Sequence, residues 1–242
     1  MSALSTIGLN LHDVRRRLEA AAQRVHTGPP PRLIAVSKTF PVEAVREAAA
    51  AGQRDFGENR VQEGLDKISA TTDLGLTWHL IGHLQSNKAK KAAATFDWIH
   101  SVDSLGLLQK LDAGALEAGT RPQILLQVDL AGEVTKFGVP ANALSELAAA
   151  AVDATGLQLR GLMIIPPAVE HPSDARPWFA GLRDLRDSLI SGGIPAGALT
   201  ELSMGMSHDF EVAIEEGATM IRVGTAIFGG RPAAPGTATA PS

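Results

Sequence analysis

The hydrophobic positions of this chain follow two alternating patterns. Short apolar runs, typical of buried strands, are each followed by an Ala- and Leu-rich stretch with helical spacing. Strands that alternate with helices pair in parallel through right-handed crossovers, so the pattern predicts an α/β fold. The predicted strands, in chain order, are residues 33–38, 54–58, 78–82, 98–102, 124–129, 161–165, 201–204 and 220–224.

Two architectures fit this alternation, an open doubly wound sheet and a closed barrel. Eight β/α units in 242 residues match the ordinary size of a (β/α)8 TIM-type barrel, and we therefore predict the barrel. An extra N-terminal helix is predicted because one helical face collects Ile7, Leu11, Val14, Leu18 and Val25. We expect one domain over residues 1–230, a linker at residues 29–31 and a disordered tail over residues 231–242.

The composition excludes several classes of function. Lys and Arg number 22 against 26 Asp and Glu, and the resulting net charge of −4 provides no positive field for nucleic acid or an anionic membrane. The chain has no cysteine, which removes disulfides, thiolate metal sites and a cysteine nucleophile. No apolar run reaches the roughly 18 residues of a membrane span, and residues 1–10 carry no basic segment ahead of an apolar one. We therefore expect a cytoplasmic protein without nucleic-acid or membrane partners.

Lys38 is the first candidate for chemistry, because a barrel binds its ligands at the carboxyl ends of its strands. This lysine ends the first predicted strand. An amine at an apolar barrel mouth is partly desolvated, and it is then nucleophilic enough to condense with an aldehyde. The alternative is a lysine that ends a strand and reaches water.

The loops after the seventh and eighth predicted strands have the features of an anion site. Residues 204–207 lead into a helix, and Gly224 and Thr225 follow the last strand. Helix-start N–H groups, small glycines and the hydroxyls of Ser207 and Thr225 suit a phosphate, which this fold commonly holds in these two loops. The alternative is helix capping by Ser207 beside a glycine turn.

Arg222 lies within the eighth predicted strand, where both faces should be buried. A buried guanidinium needs a carboxylate, a phosphate or a ligand acceptor. The alternative to a ligand is an internal ion pair with Glu58, Asp103 or Asp129.

His79 and His83 are interpreted as pocket or core histidines. Their spacing on and just after a strand does not bring both rings to one ion, so no metal site is predicted. No pair of carboxylates is singled out by its spacing, and no catalytic residue is assigned.

Six motifs lie in register with predicted strands one, two, three, six, seven and eight. They are AVSKTFP (35–41), FGENRVQE (56–63), WHLIGHLQSNK (78–88), RGLMIIP (160–166), LSMGMSHDFEVAI (202–214) and IRVGTAIFG (221–229). In this order they resemble the pyridoxal phosphate homeostasis protein family, a single-domain barrel that binds pyridoxal 5′-phosphate (PLP) and is related to the N-terminal domain of alanine racemase. The resemblance runs from Leu33 to Gly229 and is weakest over residues 90–123, where Ala92 is smaller than the bulky aliphatic residue expected.

The resemblance implies a PLP-binding barrel of fold type III, with roles assigned by position. Lys38 would form the internal aldimine with the aldehyde of PLP. Arg222 would face the pyridine nitrogen and, because arginine keeps its proton, would leave that nitrogen unprotonated and the ring a poor electron sink. Asn59 and His79 would lie beside the ring.

The resemblance also assigns the phosphate end of the cofactor. The phosphate would be held by Ser207, Gly224 and Thr225, with backbone N–H groups around Gly205 and Met206 assisting. In full, the implied cofactor-binding residues are Lys38, Asn59, His79, Met204, Ser207, Arg222, Gly224 and Thr225.

The function implied in this way is a carrier or buffer of PLP that serves intracellular vitamin B6 homeostasis and performs no catalytic turnover. Racemases of the related fold use a tyrosine from an additional domain as a second base, whereas this chain has no tyrosine and ends where the barrel ends. The expected partners are PLP-dependent apo-enzymes, and the expected assembly is a monomer or a weak dimer.

Two alternatives remain open. The first is a PLP-dependent enzyme acting on amino acids, a weak racemase or lyase, with His79, His83 or a rim carboxylate as base. The second is a PLP-free phosphosugar-type isomerase that keeps the phosphate loops and gives Lys38 another role.

Overall fold

The structure, a computed structural model, describes residues 5–25, 29–132 and 137–230. Its strands are β1 Arg32–Val36, β2 Asp55–Glu58, β3 Thr77–Leu80, β4 Trp98–Val102, β5 Gln123–Asp129, β6 Val139–Pro140, β7 Gln158–Met163, β8 Glu201–Ser203 and β9 Met220–Val223. Its helices are α1 Thr6–Val25, α2 Val42–Ala50, α3 Val61–Ala70, α4 Ala89–Thr95, α5 Leu105–Ala118, α6 Leu144–Asp153, α7 Arg176–Ser191, α8 Phe210–Glu215 and α9 Thr225–Phe228. None of the helices in these ranges is both long and apolar enough to cross a membrane.

Eight of the described strands close into a barrel. Their order around the ring is β1-β2-β3-β4-β5-β7-β8-β9, and the pairing of β4 with β5 makes the sheet continuous. At the seam between the first and last strands, Arg32 lies opposite Met220 and Ala35 opposite Val223 in parallel register. The other pairs of neighbouring strands in the ring are parallel as well. The predicted (β/α)8 barrel is confirmed.

The sequence pattern did not predict β6. This strand pairs with the end of β5, where Val139 lies opposite Val128, and it adds to the sheet outside the ring. Two residues that end in a proline contain too few apolar positions to form a recognisable period.

β7 begins earlier than predicted. Its first residues alternate between exposed Gln158 and buried Leu159, whereas the run of buried residues starts only at Gly161. The apolar run predicts only the buried part of the strand and leaves out its half-exposed start.

The extra N-terminal helix is present as α1, which packs against α2, α8 and α9. Leu11, Val14 and Leu18 are buried as predicted, whereas Val25 is 43% exposed because it ends the helix. Arg17 Nη2 lies 2.7 Å from Glu211 Oε1 of α8. α1 therefore ties the start of the described chain to elements from its other end.

Two predicted segments flank the barrel. Residues 29–31, the predicted linker, contain neither helix nor strand. The predicted tail over residues 231–242 lies outside the described residues, so its disorder and the domain boundary at residue 230 stay predictions.

The barrel contains two apolar clusters and a group of buried polar side chains. The larger layer fills the space between the strands and the surrounding helices. A second, smaller cluster consists of Ile34, Trp98, Leu125, Met163 and Met220. Buried polar side chains accompany that smaller cluster, namely His79, His100, Ser203 and Arg222.

We predict that Gly161→Ala destabilises the barrel. Gly161 lies opposite Glu201 in the β7–β8 pair, and a Cβ at this position would lie 1.8 Å from the Glu201 carbonyl oxygen. Since two backbones would have to separate, we expect the free energy of unfolding to fall by about 3 kcal/mol or more. Urea unfolding followed by circular dichroism measures this loss.

Gly106→Ala is the matched control for that variant. Gly106 lies in α5, and apart from its chain neighbours and the nearby backbone of its own helix, no described atom lies within 4 Å of the added Cβ. Replacing glycine by alanine inside a helix should stabilise the protein by about 0.5–1 kcal/mol. Equal stability of the two variants would contradict the register assigned to β7 and β8.

Candidate functional site

A cavity of about 460 Å³ opens at the carboxyl ends of the barrel strands. This is the end at which barrels of this kind bind their ligands. The residues that line it are Val36, Lys38, Phe40, Asn59, Ile81, Gly82, His83, Phe137, Ile165, Met206, Ser207, His208, Arg222, Gly224 and Thr225.

Most of the predicted cofactor-binding residues meet at this cavity. Those that line it are Lys38, Asn59, Ser207, Arg222, Gly224 and Thr225. Met204 and His79 are not among the lining residues. Met204 is fully buried in the apolar layer between strands and helices, and His79 is fully buried with both ring nitrogens in hydrogen-bonding contact.

The backbone turns sharply at the end of β1. Thr39 has a φ of 69°, a left-handed value that is uncommon for a residue with a Cβ. The Thr39 N–H donates to Glu63 Oε1 at 2.6 Å, and the Phe40 N–H donates to Ser37 O at 3.0 Å. These contacts hold the turn that brings Lys38 to the cavity.

A buried ion cluster supports that turn. Lys67 Nζ donates to Glu58 Oε1 at 2.6 Å and to Glu63 Oε1 at 2.9 Å. It also donates to Ser37 O at 2.8 Å, while Ser37 Oγ donates to Glu58 Oε1 at 2.6 Å. Burial raises the pKa of Glu58, and the hydrogen bonds from Lys67 and Ser37 offset part of the rise. The cluster joins Ser37, which follows β1, to Glu58, which ends β2.

Lys67 is not predicted as a site residue by its sequence context. Its spacing of four residues from Glu63 on a helix is a signal for an ion pair. That spacing is equally common on exposed helix faces, so it does not reveal that this lysine is buried.

Asn59 is held at the cavity by close packing of the ends of β2 and β3. A Cβ at Gly82 would lie 2.3 Å from the Asn59 carbonyl oxygen. Glycine at this position therefore lets the two backbone segments approach each other.

Ser207 links the two loops that were predicted to hold an anion. Its Oγ accepts hydrogen bonds from the Gly224 N–H at 3.2 Å and the Ala226 N–H at 3.4 Å. Ser207 does not cap α8, because that helix begins at Phe210 with Asp209 as its N-cap residue. Since the oxygen accepts both N–H groups, the hydroxyl hydrogen is the part of Ser207 that can be donated to a ligand.

The loop before Ser207 is shaped by its own contacts. Asp209 Oδ1 accepts the Met206 N–H at 2.6 Å, so this N–H is engaged within the turn, contrary to the expectation that it assists a phosphate. Burial raises the pKa of Asp209, and the Met206 hydrogen bond opposes that rise. Gly205 has a φ of 90°, and a Cβ there would lie 2.6 Å from the Cβ of Ala213. The turn thus requires glycine.

Arg222 presents a buried positive charge to the cavity. It is 4% exposed, and its guanidinium donates to Ser203 Oγ at 2.6 Å and to Ile164 O at 2.8 Å. Burial lowers the pKa of Arg222 to about 10, and the negative charge of Asp209 acts in the opposite direction. The guanidinium therefore remains charged at neutral pH while neutral acceptors hold it.

The predicted alternative of an internal ion pair is not seen among the described residues. Glu58 pairs with Lys67, and Asp103 Oδ2 lies 3.6 Å from His83 Nδ1. Asp129 Oδ1 accepts the backbone N–H groups of residues 131 and 132 at 3.0 Å each. The charge of Arg222 is thus available to a ligand in the cavity.

The two predicted histidines have different surroundings. His83 lines the cavity, where its ring stacks on Phe137 with the ring centres 3.5 Å apart. His79 lies in the interior, with Nε2 3.0 Å from Asp55 Oδ1 and Nδ1 3.0 Å from His100 Nε2. Among the described residues, no cluster of His, Asp and Glu side chains could hold a metal ion.

His100 was not singled out in the sequence. Burial lowers the pKa of His79, with the Asp55 hydrogen bond opposing, and burial holds the pKa of His100 well below its usual range. Both rings are therefore neutral near pH 7. The available signal for His100 was its place inside β4, whose residues are all buried.

The cavity as a whole combines a primary amine, a serine hydroxyl between two loops and a fixed guanidinium with apolar walls. An amine can condense with a carbonyl group, and the loops and guanidinium can bind anionic or hydrogen-bond-accepting groups. The arrangement suits a flat phosphorylated aldehyde whose other end carries an acceptor.

The chain is similar to several known proteins. The family described as alanine racemase, N-terminal domain, matches residues 9–232. A pyridoxal phosphate homeostasis protein of Aquifex aeolicus is 44% identical over 222 residues, which cover 91% of this chain and 96% of that protein. A protein of the same name from Pseudomonas aeruginosa is 46% identical over 230 residues, covering 94% of this chain and 97% of that protein.

Solved structures share the fold. PipY of Synechococcus elongatus, solved without and with PLP bound, is 46% identical and superimposes with TM-scores of 0.83 and 0.81. These matches cover 92% of this chain and 100% of PipY. Alanine racemase of Streptomyces lavendulae is 21% identical with a TM-score of 0.71, covers 95% of this chain and 58% of that enzyme, and shares the fold.

We predict that Lys67→Met destabilises the protein strongly. The substitution leaves the fully buried Glu58 carboxylate without its cation, which should lower the free energy of unfolding by about 3–5 kcal/mol at neutral pH. Because burial raises the pKa of Glu58, acidification protonates this carboxyl in the folded protein and removes the buried charge. The loss should therefore shrink as the pH falls and grow as it rises.

Lys90→Met is the matched control, because Lys90 and Glu117 form an ion pair in which both side chains are 66% exposed. This variant should unfold at nearly the same denaturant concentration as the wild type. Denaturant unfolding at several pH values measures both effects. A pH-independent loss in Lys67→Met would contradict the assignment of the buried charge to Glu58.

Proposed function

The chain belongs to the pyridoxal phosphate homeostasis protein family, and from this premise we propose that it binds PLP in the cavity at the carboxyl ends of its strands and carries or buffers it. The observation that carries the proposal is the convergence of Lys38, Ser207 and Arg222 on one cavity. Their chemistry matches three different groups of one molecule: an aldehyde, a phosphate and a ring nitrogen. PipY, whose PLP-bound structure superimposes on this chain, supports the choice of ligand.

Lys38 is proposed to hold PLP covalently. Its nitrogen would supply the amine that condenses with the aldehyde carbon of bound PLP, with release of one water molecule. The turn at Thr39 and the ion cluster around Lys67 support this position by fixing the end of β1. The linkage is reversible, because another amine can take the place of the lysine nitrogen.

Ser207, Gly224 and Thr225 are proposed to hold the phosphate. Ser207 already joins the loops that follow β8 and β9, so a phosphate there would contact both. The loops after the corresponding strands of this fold commonly bind phosphate. Met206 would only line the cavity, because its N–H already donates to Asp209 Oδ1.

Arg222 is proposed to face the pyridine nitrogen. Bound PLP supplies an electrophilic aldehyde and, when its ring nitrogen is protonated, an electron sink for carbanions. Arginine donates a hydrogen bond to that nitrogen but does not readily give up its proton. The ring would then be a poor electron sink, which favours storage and transfer of PLP over amino-acid turnover.

We propose a cytoplasmic protein that exchanges PLP with PLP-dependent apo-enzymes, acts as a monomer or weak dimer and has no nucleic-acid partner. Residues 1–230 would form its one domain.

One observation favours a second function, weak amino-acid racemase or lyase activity. His83 lines the cavity and is 34% exposed, so it could serve as a base. His79 is a poorer candidate, because both of its ring nitrogens contact other side chains. Deuterium incorporation at Cα of amino acids in heavy water, at a rate above that of free PLP, would favour this enzyme.

We predict that Lys38→Ala abolishes the absorbance of a protonated Schiff base after addition of PLP. The matched control is Lys88→Ala, because Lys88 is exposed and does not line the cavity. It should retain the full signal. Borohydride reduction followed by peptide mass spectrometry should place the label on Lys38, and a stoichiometric label elsewhere would overturn the assignment. A colourless wild-type protein would favour the phosphosugar-type alternative.

We predict that Ser207→Ala weakens PLP binding about tenfold, the effect of losing one hydrogen bond of about 1.4 kcal/mol to a charged group. Pyridoxal, which lacks the phosphate, should bind the variant and the wild type equally. Equilibrium dialysis with both compounds tests this difference. An equal loss for both compounds would contradict the placement of the phosphate beside Ser207.

A further inference from the structure

A file of polar side chains crosses the barrel interior and ends at the cavity. Asp55 Oδ1 lies 3.0 Å from His79 Nε2, and His79 Nδ1 lies 3.0 Å from His100 Nε2. His100 Nδ1 lies 2.9 Å from Ser203 Oγ, which accepts a hydrogen bond from Arg222 Nη1 at 2.6 Å. Four consecutive contacts of hydrogen-bond length therefore connect Asp55 with a cation that lines the cavity.

The two ends of the file lie at opposite mouths of the barrel. Asp55 is the first residue of β2, where Arg32, the first residue of β1, contacts it at 3.3 Å. Its side chain is 21% exposed, so this end reaches water. Arg222 lies in β9 and faces the cavity at the carboxyl ends of the strands.

The chemistry of the two end groups sets the direction of every hydrogen bond between them. An ionised carboxylate only accepts, so His79 Nε2 must carry the proton that faces Asp55. A neutral imidazole then has an acceptor at Nδ1, and His100 must donate to it from its own Nε2. The same step at His100 leaves Nδ1 as the acceptor of the Ser203 hydroxyl.

The opposite end gives the same direction. Arginine has only donors, so Ser203 Oγ must accept from Arg222 and can give its own hydrogen to His100. Burial lowers the pKa of both histidines, which keeps the rings neutral as this arrangement requires. All four hydrogen bonds thus run from Arg222 towards Asp55.

A barrel interior does not need such a file, since apolar side chains can fill it. The apolar interior cluster of this barrel is Ile34, Trp98, Leu125, Met163 and Met220. Each buried polar group costs free energy unless it is fully hydrogen-bonded. A continuous polar file that ends on a cavity-lining guanidinium therefore indicates a role for that guanidinium.

We propose that Asp55, His79, His100 and Ser203 form a positioning relay, which fixes the orientation of the Arg222 guanidinium and so the N–H group that it presents to a ring nitrogen in the cavity. The relay acts through Arg222, and none of its other members needs to touch a ligand. The direction of its hydrogen bonds is set by the protein alone and does not depend on a bound ligand. Its effect on the ring nitrogen rests on the proposed function.

The first test examines the relay in the protein without PLP. Nitrogen-15 NMR of histidine-labelled protein should show His79 and His100 as neutral rings, each with a protonated Nε2 and an unprotonated Nδ1. The other tautomer, or a charged ring, at either position would overturn the relay.

The second test separates the relay from PLP binding in general. Ser203→Ala removes one of the two acceptors that hold the Arg222 guanidinium. We expect PLP to bind about tenfold more weakly, because a misaligned Arg222 loses its hydrogen bond to the ring nitrogen. The analogue in which a carbon replaces the ring nitrogen should bind the variant and the wild type equally, because it offers no acceptor to Arg222. Isothermal titration with both compounds measures this difference.

Ser101→Ala is the matched control. Ser101 is fully buried next to His100 in β4, and its Oγ has no hydrogen-bond partner among the described residues. This variant should bind both compounds as the wild type does. Equal losses in Ser203→Ala and Ser101→Ala would overturn the relay and leave the proposed function intact.

Failure of the proposed function has a different signature. A wild-type protein that binds neither PLP nor the analogue would overturn the PLP site, and the NMR spectrum would still decide the direction of the file. If Ser203→Ala fails to fold, Asp55→Ala serves as the second variant. We expect it to disturb the tautomers of both histidines, and unchanged tautomers would overturn the relay.

Discussion

The buried charge of Arg222 is the constraint on which the site depends. A guanidinium in a barrel interior loses its water, and neutral acceptors restore only part of the lost interaction. Ser203 and the Ile164 carbonyl supply two such acceptors, and no carboxylate among the described residues pairs with the charge. A ligand that brings an acceptor into the cavity therefore satisfies a requirement that the fold itself creates. Ligand binding is thus coupled to compensation of the buried Arg222 charge.

The two buried cations near the cavity, Lys67 and Arg222, have different surroundings. Lys67 is neutralised by Glu58 and Glu63, and it stabilises the strand ends without adding positive charge to the cavity. Arg222 is held by neutral groups, so its charge still acts on the cavity. The positive potential in the cavity is consequently due to Arg222 and not to the buried Lys67.

Much of the fold could be predicted from the sequence, because buried parallel strands leave continuous apolar runs. The half-exposed start of β7 and the two-residue β6 have no such run, so the sequence does not predict them. For the site, strand ends and motifs indicated Lys38, Ser207 and Arg222. They could not indicate the side-chain directions that bury Met204 and His79 or join His100 to Ser203, because these depend on the barrel's shear and on contacts far apart in sequence.

The seam between β1 and β9 has a consequence for biosynthesis. β1 is synthesised long before one of its two partner strands, Met220–Val223. Until then β1 exposes an unpaired edge, and α1 lacks α8 and α9, against which it packs. Ring closure is a long-range and therefore late step of folding, and the unpaired edge of β1 can pair with other chains until β9 has been made.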